Sequence, residues 1–240
     1  MTESKSRLIE TLKEKRQALD RTIEAACLDA GRDPADVTVV AVTKMVDADT
    51  VASAIEAGFF DLGENRPQAL VAKRQELALQ DERCRWHLIG PLQRNKVRSI
   101  IKRCDLIHSV DSLRLLNTIS RIAGEEETTA DVLLQVNLSG EEAKQGFTEE
   151  ALRQVFADCQ KLPHVRLRGL MTMAPFDAGS TYYEELFGRT RRLKEALAKE
   201  FDLNMFNLLS MGMSQDYIEA IKAGATHIRI GSEIFSDLVT

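Results

Sequence analysis

Hydrophobic and polar positions change period along the chain, and each change marks an element. Residues 3 to 31 set Leu8, Leu12, Leu19, Ile23 and Ala26 at helical spacing among lysines, glutamates and arginines, predicting an amphipathic helix. Gly31-Arg32-Asp33-Pro34 is placed to stop it. Val37 to Thr43 is almost continuously apolar and β-branched, the pattern of a parallel strand buried on both faces, and it ends at Lys44. Further strands are predicted at Phe59–Gly63, Arg85–Ile89, Leu106–Val110, Val132–Asn137, Leu167–Met173, Leu208–Met211 and Ile228–Ile230. Helical patterns fall between them at about 49–57, 66–79, 94–102, 112–123, 148–160, 180–200 and 214–222, with a last short turn around Glu233 to Ser236.

Eight strands alternating with helices imply a parallel sheet with right-handed crossovers. Eight such units predict closure into a (β/α)8 TIM barrel with an extra N-terminal helix. No linker or composition shift divides residues 1–240, so one domain is expected, with the helix within 1–34 and the barrel over 37–236. The extra helix is expected to lie outside the barrel or across its bottom.

Composition narrows the function classes. A hydrophobic share of 44% supports a real core, and a net charge of −5 argues against nucleic acid as a partner. No apolar run approaches a membrane span and the first residues carry no signal-peptide core, so no membrane partner is expected. The cysteines Cys27, Cys84, Cys104 and Cys159 form no CxxC pair, which fits a reduced, cytoplasmic protein.

In a barrel of this kind reactive groups belong at the C-terminal ends of the strands. Lys44 stands there after a buried strand. Enclosed in an apolar site, its amine would be neutral enough to attack an aldehyde; the plainer alternative is a lysine emerging into solvent. Arg229 points to the opposite face of its strand from Ile228 and Ile230, toward either a ligand or a structural ion pair. Ser214, read as the N-cap of the helix after strand seven, and the Gly231-Ser232 turn after strand eight suit a phosphate group, although plain capping and turn roles remain open. Cys84 and His87 are three residues apart with no second pair to complete a metal site. Neither a Gly-x-Ser-x-Gly elbow nor a phosphate-loop signature occurs. Lys144 sits in a polar loop near the expected mouth.

Several segments together resemble one family, the pyridoxal 5′-phosphate (PLP) homeostasis proteins, related to the N-terminal barrel of alanine racemases. They are Val40 to Lys44, Gly63-Glu64-Asn65-Arg66-Pro67-Gln68, the run from Trp86 to Lys96, Gly169 to Met173, Leu209 to Asp216 and Arg229 to Ser232. The resemblance implies that Lys44 carries PLP as a Schiff base. It further implies that Arg229 lies beside the pyridine nitrogen, that Ser214, Gly231 and Ser232 surround the phosphate, and that Asn65 and Met211 border the cofactor. Glu142-Ala143 and Ser236 depart from the usual pattern, both expected away from the Schiff base.

A guanidinium cannot accept a proton from the ring nitrogen, so Arg229 would weaken the electron sink that most PLP enzymes use. Racemases with this arrangement use a tyrosine from a second domain as the opposing acid or base, and no such domain is expected here. Tyr182, Tyr183 and Tyr217 lie away from strand ends. The expectation is a PLP-binding protein of intracellular PLP homeostasis without robust catalysis. PLP-dependent apo-enzymes are candidate recipients, and the chain is expected to be a monomer or weak dimer. The alternatives are a slow PLP-dependent amino-acid racemase using a second base such as His87, and a sugar-phosphate barrel with Lys44 as an aldolase-type amine.

Overall fold

The structure is a computed structural model describing residues 3–138, 145–159 and 162–238. Helix α1 spans Glu3–Asp29, and the alternation then begins with β1 at Thr38–Val42, α2 at Ala48–Glu56 and β2 at Asp61–Glu64. It continues through α3 (Pro67–Leu77), β3 (Arg85–Leu88), α4 (Val97–Ile100), β4 (Leu106–Val110), α5 (Leu113–Glu125) and β5 (Ala130–Gln135). The second part holds α6 (Glu149–Cys159), β6 (Val165–Met171), α7 (Ser180–Glu200) and β7 (Leu208–Met213). Last come α8 (Tyr217–Lys222), β8 (His227–Ile230) and α9 (Ser232–Phe235). Neighbouring strands pair in parallel in chain order and β8 closes on β1, with Val40 opposite Arg229, giving the expected closed barrel.

Side chains alternate across each strand. Outward residues such as Trp86, Leu88, Leu134, Leu170, Met211 and Ile228 join the helices in one continuous apolar layer. Inside, the apolar cluster is much smaller: Leu106, Leu133 and Met171, with Leu208 against them. The remaining interior positions include charged and polar groups, and this is why two strands start earlier than their apolar runs. Strands β5 and β6 begin at Ala130 and Val165 rather than Val132 and Leu167. Their early residues Asp131 and Arg168 form an ion pair at 2.7 Å, with Arg166 joining Asp131.

Helix α1 lies outside the ring, against α2 and α8. Two arginines bind it to exposed helix-end carbonyls, where a cation also meets the negative end of the helix dipole. Arg16 donates to Gly58 O at 2.6 Å and lies over the Phe59 ring. Arg32, just past the helix, donates to Ile221 O at 2.6 Å and Ala225 O at 2.8 Å. The helical pattern at 94–102 shortens to a 3-10 turn at Arg94–Lys96 and the single turn α4. Among the described residues no helix is long and apolar enough to cross a membrane.

Candidate functional site

The C-terminal ends of the strands enclose a cavity of about 540 Å³. Lys44, Asn65, Ser214, Arg229, Gly231 and Ser232 all line it, so residues from four strand ends converge on one space. A second hollow of about 640 Å³ adjoins it through Gln135, Gln145, Met173 and Met213. Gln135 Nε2 donates to Gln145 O at 3.0 Å and Phe147 N–H to Gln135 O at 2.8 Å, holding that segment on the end of β5.

Lys44 is exposed in the turn after β1, so the cavity is open at its amine rather than closed over it. The carbonyl just before it, Thr43 O, accepts from Lys73 Nζ at 2.7 Å. The same ammonium lies 2.5 Å from Glu64 Oε1, and Thr43 Oγ1 donates to that oxygen at 2.6 Å. This knot outside the barrel fixes the start of the turn that carries Lys44.

Arg229 is 4% exposed. Its Nη1 donates to Ser210 Oγ at 2.7 Å and its Nη2 to Thr172 O at 3.0 Å, both neutral acceptors. Burial pulls its pKa down to about 10, partly offset by the charge of Asp216, so it stays cationic at neutral pH. Among the described residues no carboxylate is bonded to it, and the structural ion pair left open by the sequence is not formed. Behind Ser210 runs a row of buried polar side chains. His108 Nδ1 lies 2.8 Å from Ser210 Oγ, His108 Nε2 2.9 Å from His87 Nδ1, and His87 Nε2 3.0 Å from Asp61 Oδ1. Burial first, then the positive charge that His87, His227 and Arg229 can carry, hold His108 well below the usual histidine pKa.

The turn after β7 differs from its expected form. Helix α8 starts at Tyr217 with Asp216 in the N-cap position, so Ser214 is not the N-cap. Met213 N–H donates to Asp216 Oδ1 at 2.5 Å, and this bond folds Ser214-Gln215 into a turn ahead of the helix. Gly212 makes the turn possible: its φ is +94°, and a Cβ there would lie 2.9 Å from Tyr217 Cα. Asp216 is itself buried, and burial raises its pKa.

Met211 does not line the cavity. It is fully buried in the outer apolar layer, and a register shift between Ser210 and Met213 turns Met213 to the cavity instead. His87 lies on the barrel axis beneath Ser210 rather than at the mouth, and Ser236, expected away from the Schiff base, is among the residues lining the cavity. Lys144 and Glu142-Ala143 lie outside the described residues. Sequence reasoning missed Asp61 and His108; the signal available was a carboxylate and an imidazole inside short strands that are buried throughout.

Fold and site together define a barrel of the alanine racemase N-terminal type, and the family model described as "Alanine racemase, N-terminal domain" matches residues 16–238. The relatives narrow this. The pyridoxal phosphate homeostasis protein of Pseudomonas aeruginosa is 41% identical over 214 residues, covering 89% of this chain and 90% of the relative. That of Aquifex aeolicus is 36% identical over 215 residues, covering 90% and 93%. The chain belongs to the pyridoxal phosphate homeostasis protein family. Among solved structures, PipY of Synechococcus elongatus with PLP bound superposes with a TM-score of 0.83 at 34% identity, covering 93% of this chain and 99% of PipY.

Proposed function

We propose that this protein binds PLP in the cavity at the C-terminal end of the barrel and holds it on Lys44 as part of intracellular PLP homeostasis, without robust catalysis. The observation that carries the reading is the pairing of Lys44 with Arg229. They are the titratable side chains among the described residues lining a cavity that also contains Ser214 and the Gly231-Ser232 turn. A buried guanidinium bonded, among the described residues, to neutral acceptors suits a ring nitrogen that offers a lone pair. Two hydroxyls and backbone N–H groups at the two turns suit the phosphate. The similarity to PipY, whose structure holds PLP, supports the same ligand.

When bound, PLP would supply a reactive aldehyde, and Lys44 is the amine that would hold it. The chain's own groups do the rest. The Lys73–Thr43 bond fixes the turn behind Lys44, and Arg229 would face the ring nitrogen without giving up a proton. A racemase needs a second acid or base facing the first. Tyr183 instead accepts from Ala178 N–H through its hydroxyl, and Tyr217 donates to Glu233. His87 is engaged on the axis. The exposure of Lys44 suits release and exchange of the ligand.

The test is spectroscopic. PLP added to the purified protein should give visible absorbance that borohydride bleaches, and Lys44→Ala should abolish it while leaving the unfolding transition in place. Unchanged absorbance in the variant overturns Lys44 as the anchor. Rapid α-hydrogen exchange of alanine in deuterated water would overturn the non-catalytic part.

A further inference from the structure

We propose that Asp61, His87 and His108 are positioning residues that lock the direction of the Ser210 hydroxyl, and with it the seat of Arg229, from the opposite end of the barrel. The proposal rests on the reading of the cavity as a PLP site, and it adds residues none of which lines that cavity.

The direction of the chain follows from its upper end. Arginine only donates, so Ser210 Oγ accepts from Arg229 Nη1 at 2.7 Å. The hydroxyl proton then needs its own acceptor, and among the described residues that is His108 Nδ1, 2.8 Å away. A bare Nδ1 on a neutral imidazole places the proton on Nε2. His108 Nε2–H therefore donates to His87 Nδ1 at 2.9 Å, which leaves His87 with its own proton on Nε2, directed at Asp61 Oδ1 at 3.0 Å. Asp61 ends the chain as an acceptor. Arg85 grips it with Nε to Oδ1 at 2.8 Å and Nη2 to Oδ2 at 2.7 Å, so the carboxylate cannot turn.

Each link has one allowed direction because both ends are fixed by groups that cannot reverse: a guanidinium that only donates and an ionised carboxylate that only accepts. His87 is 3% exposed, and His108 and Ser210 are fully buried, so water does not compete for these bonds. The two rings meet edge to face at 5.1 Å, which keeps their nitrogens aligned. A chain of this kind polarises along its length, and its members act as a unit. Reversing one ring would turn His108 Nδ1 into a donor, leave the Ser210 proton without an acceptor and unseat the guanidinium.

Two measurements test it. Long-range proton–nitrogen spectra of histidine-labelled protein without PLP should show both His87 and His108 as neutral, Nε2-protonated tautomers. A protonated Nδ1 on His108 would overturn the chain whether or not PLP binds. The second measurement is PLP affinity. His108→Asn can offer a carbonyl oxygen near the old Nδ1 position to Ser210, whereas His108→Gln reaches toward His87 and leaves the Ser210 proton without its acceptor. Loss of one hydrogen bond to a charged group's partner corresponds to about a tenfold weaker dissociation constant for the Gln variant, with the Asn variant within about threefold of the parent. Equal affinities for the two variants, with the parent binding PLP, overturn the proposal. A parent that fails to bind PLP overturns the reading of the cavity instead, and the tautomer spectra then decide the chain alone. They also decide it if neither variant folds.

Discussion

Replacing Lys73 with methionine should destabilise the protein by about 3 kcal/mol, the lower part of the range for breaking a buried ion pair. The Glu64 side chain is 0% exposed and that of Lys73 12%, with Nζ 2.5 Å from Glu64 Oε1. Methionine keeps much of the lysine stem, so little cavity opens. What is lost is the cation, and Glu64 then depends on Thr43 Oγ1 alone, since its Oε2 has no partner among the described residues. The lower part of the range applies because the Lys73 ammonium lies at the edge of the core, where water can relax around Glu64. For a chain of this size about 3 kcal/mol corresponds to a fall of roughly 6–12 °C in the unfolding midpoint. Urea unfolding of the single variant and of Lys73→Met with Glu64→Leu, at matched denaturant slopes, measures the pair. The double variant should regain most of the loss, because both charges leave together. A single-variant loss below about 1 kcal/mol, or a double variant weaker than the single, would refute the argument that an uncompensated carboxylate carries the cost.

The same reasoning extends to two further sites. His227 is held down to about 3, by burial first and then by the charge of His87, with Arg85 and Arg168 adding to this and Asp61 opposing it. The unfolded chain takes up a proton below about pH 6.5 and the folded chain does not, so stability is unaffected above that pH and falls below it by up to about 1.4 kcal/mol per pH unit, levelling off near the folded pKa. His108 acts with the same sign. His227→Gln should flatten the slope of unfolding free energy between pH 6 and 4, and an unchanged slope would show that His227 is not the group responsible. Gly212→Ala places a Cβ 2.7 Å from Ala220 Cβ at a φ of +94°. The strain is about 1–3 kcal/mol. PLP binding should weaken with it, because Ser214 rides on that turn; full affinity with normal stability would show that the turn is not constrained.

Legibility in the sequence followed the range of the interactions. Val37 to Thr43 outlines β1 (Thr38–Val42) to within a residue at each end, because burial on both faces writes itself into consecutive apolar residues. Lys44, Arg229 and the Gly231-Ser232 turn could be found because a barrel collects reactive groups at the C-terminal ends of its strands. The early residues of β5 and β6 could not, since Asp131 and Arg168 read as loop until a chain path of 37 residues brings them together. The axial chain is more distant still: Ser210 and His108 are 102 residues apart, and no local period marks either as paired. The exposure of Lys44 and the outward turn of Met211 depend on where strands end and slip by a residue, which hydrophobic patterning resolves poorly.

The division of the core explains how a barrel can carry such a chain. Most of the apolar burial lies in the outer layer, where Trp86, Phe59 and Phe187 are fully enclosed, while the interior apolar cluster is Leu106, Leu133 and Met171 with Leu208 beside it. The interior can therefore hold Asp61, three histidines and Arg229 without giving up the contacts that stabilise the fold, provided each polar group finds a partner. Among the described residues the bonded partners along the axis are neutral groups or the carboxylate already clamped by Arg85, so the charge of Arg229 is met only through space, by Asp216. On the reading proposed above, a buried guanidinium without a bonded carboxylate favours a ligand that offers a ring-nitrogen lone pair and an anionic tail, and disfavours a cationic amine entering alone.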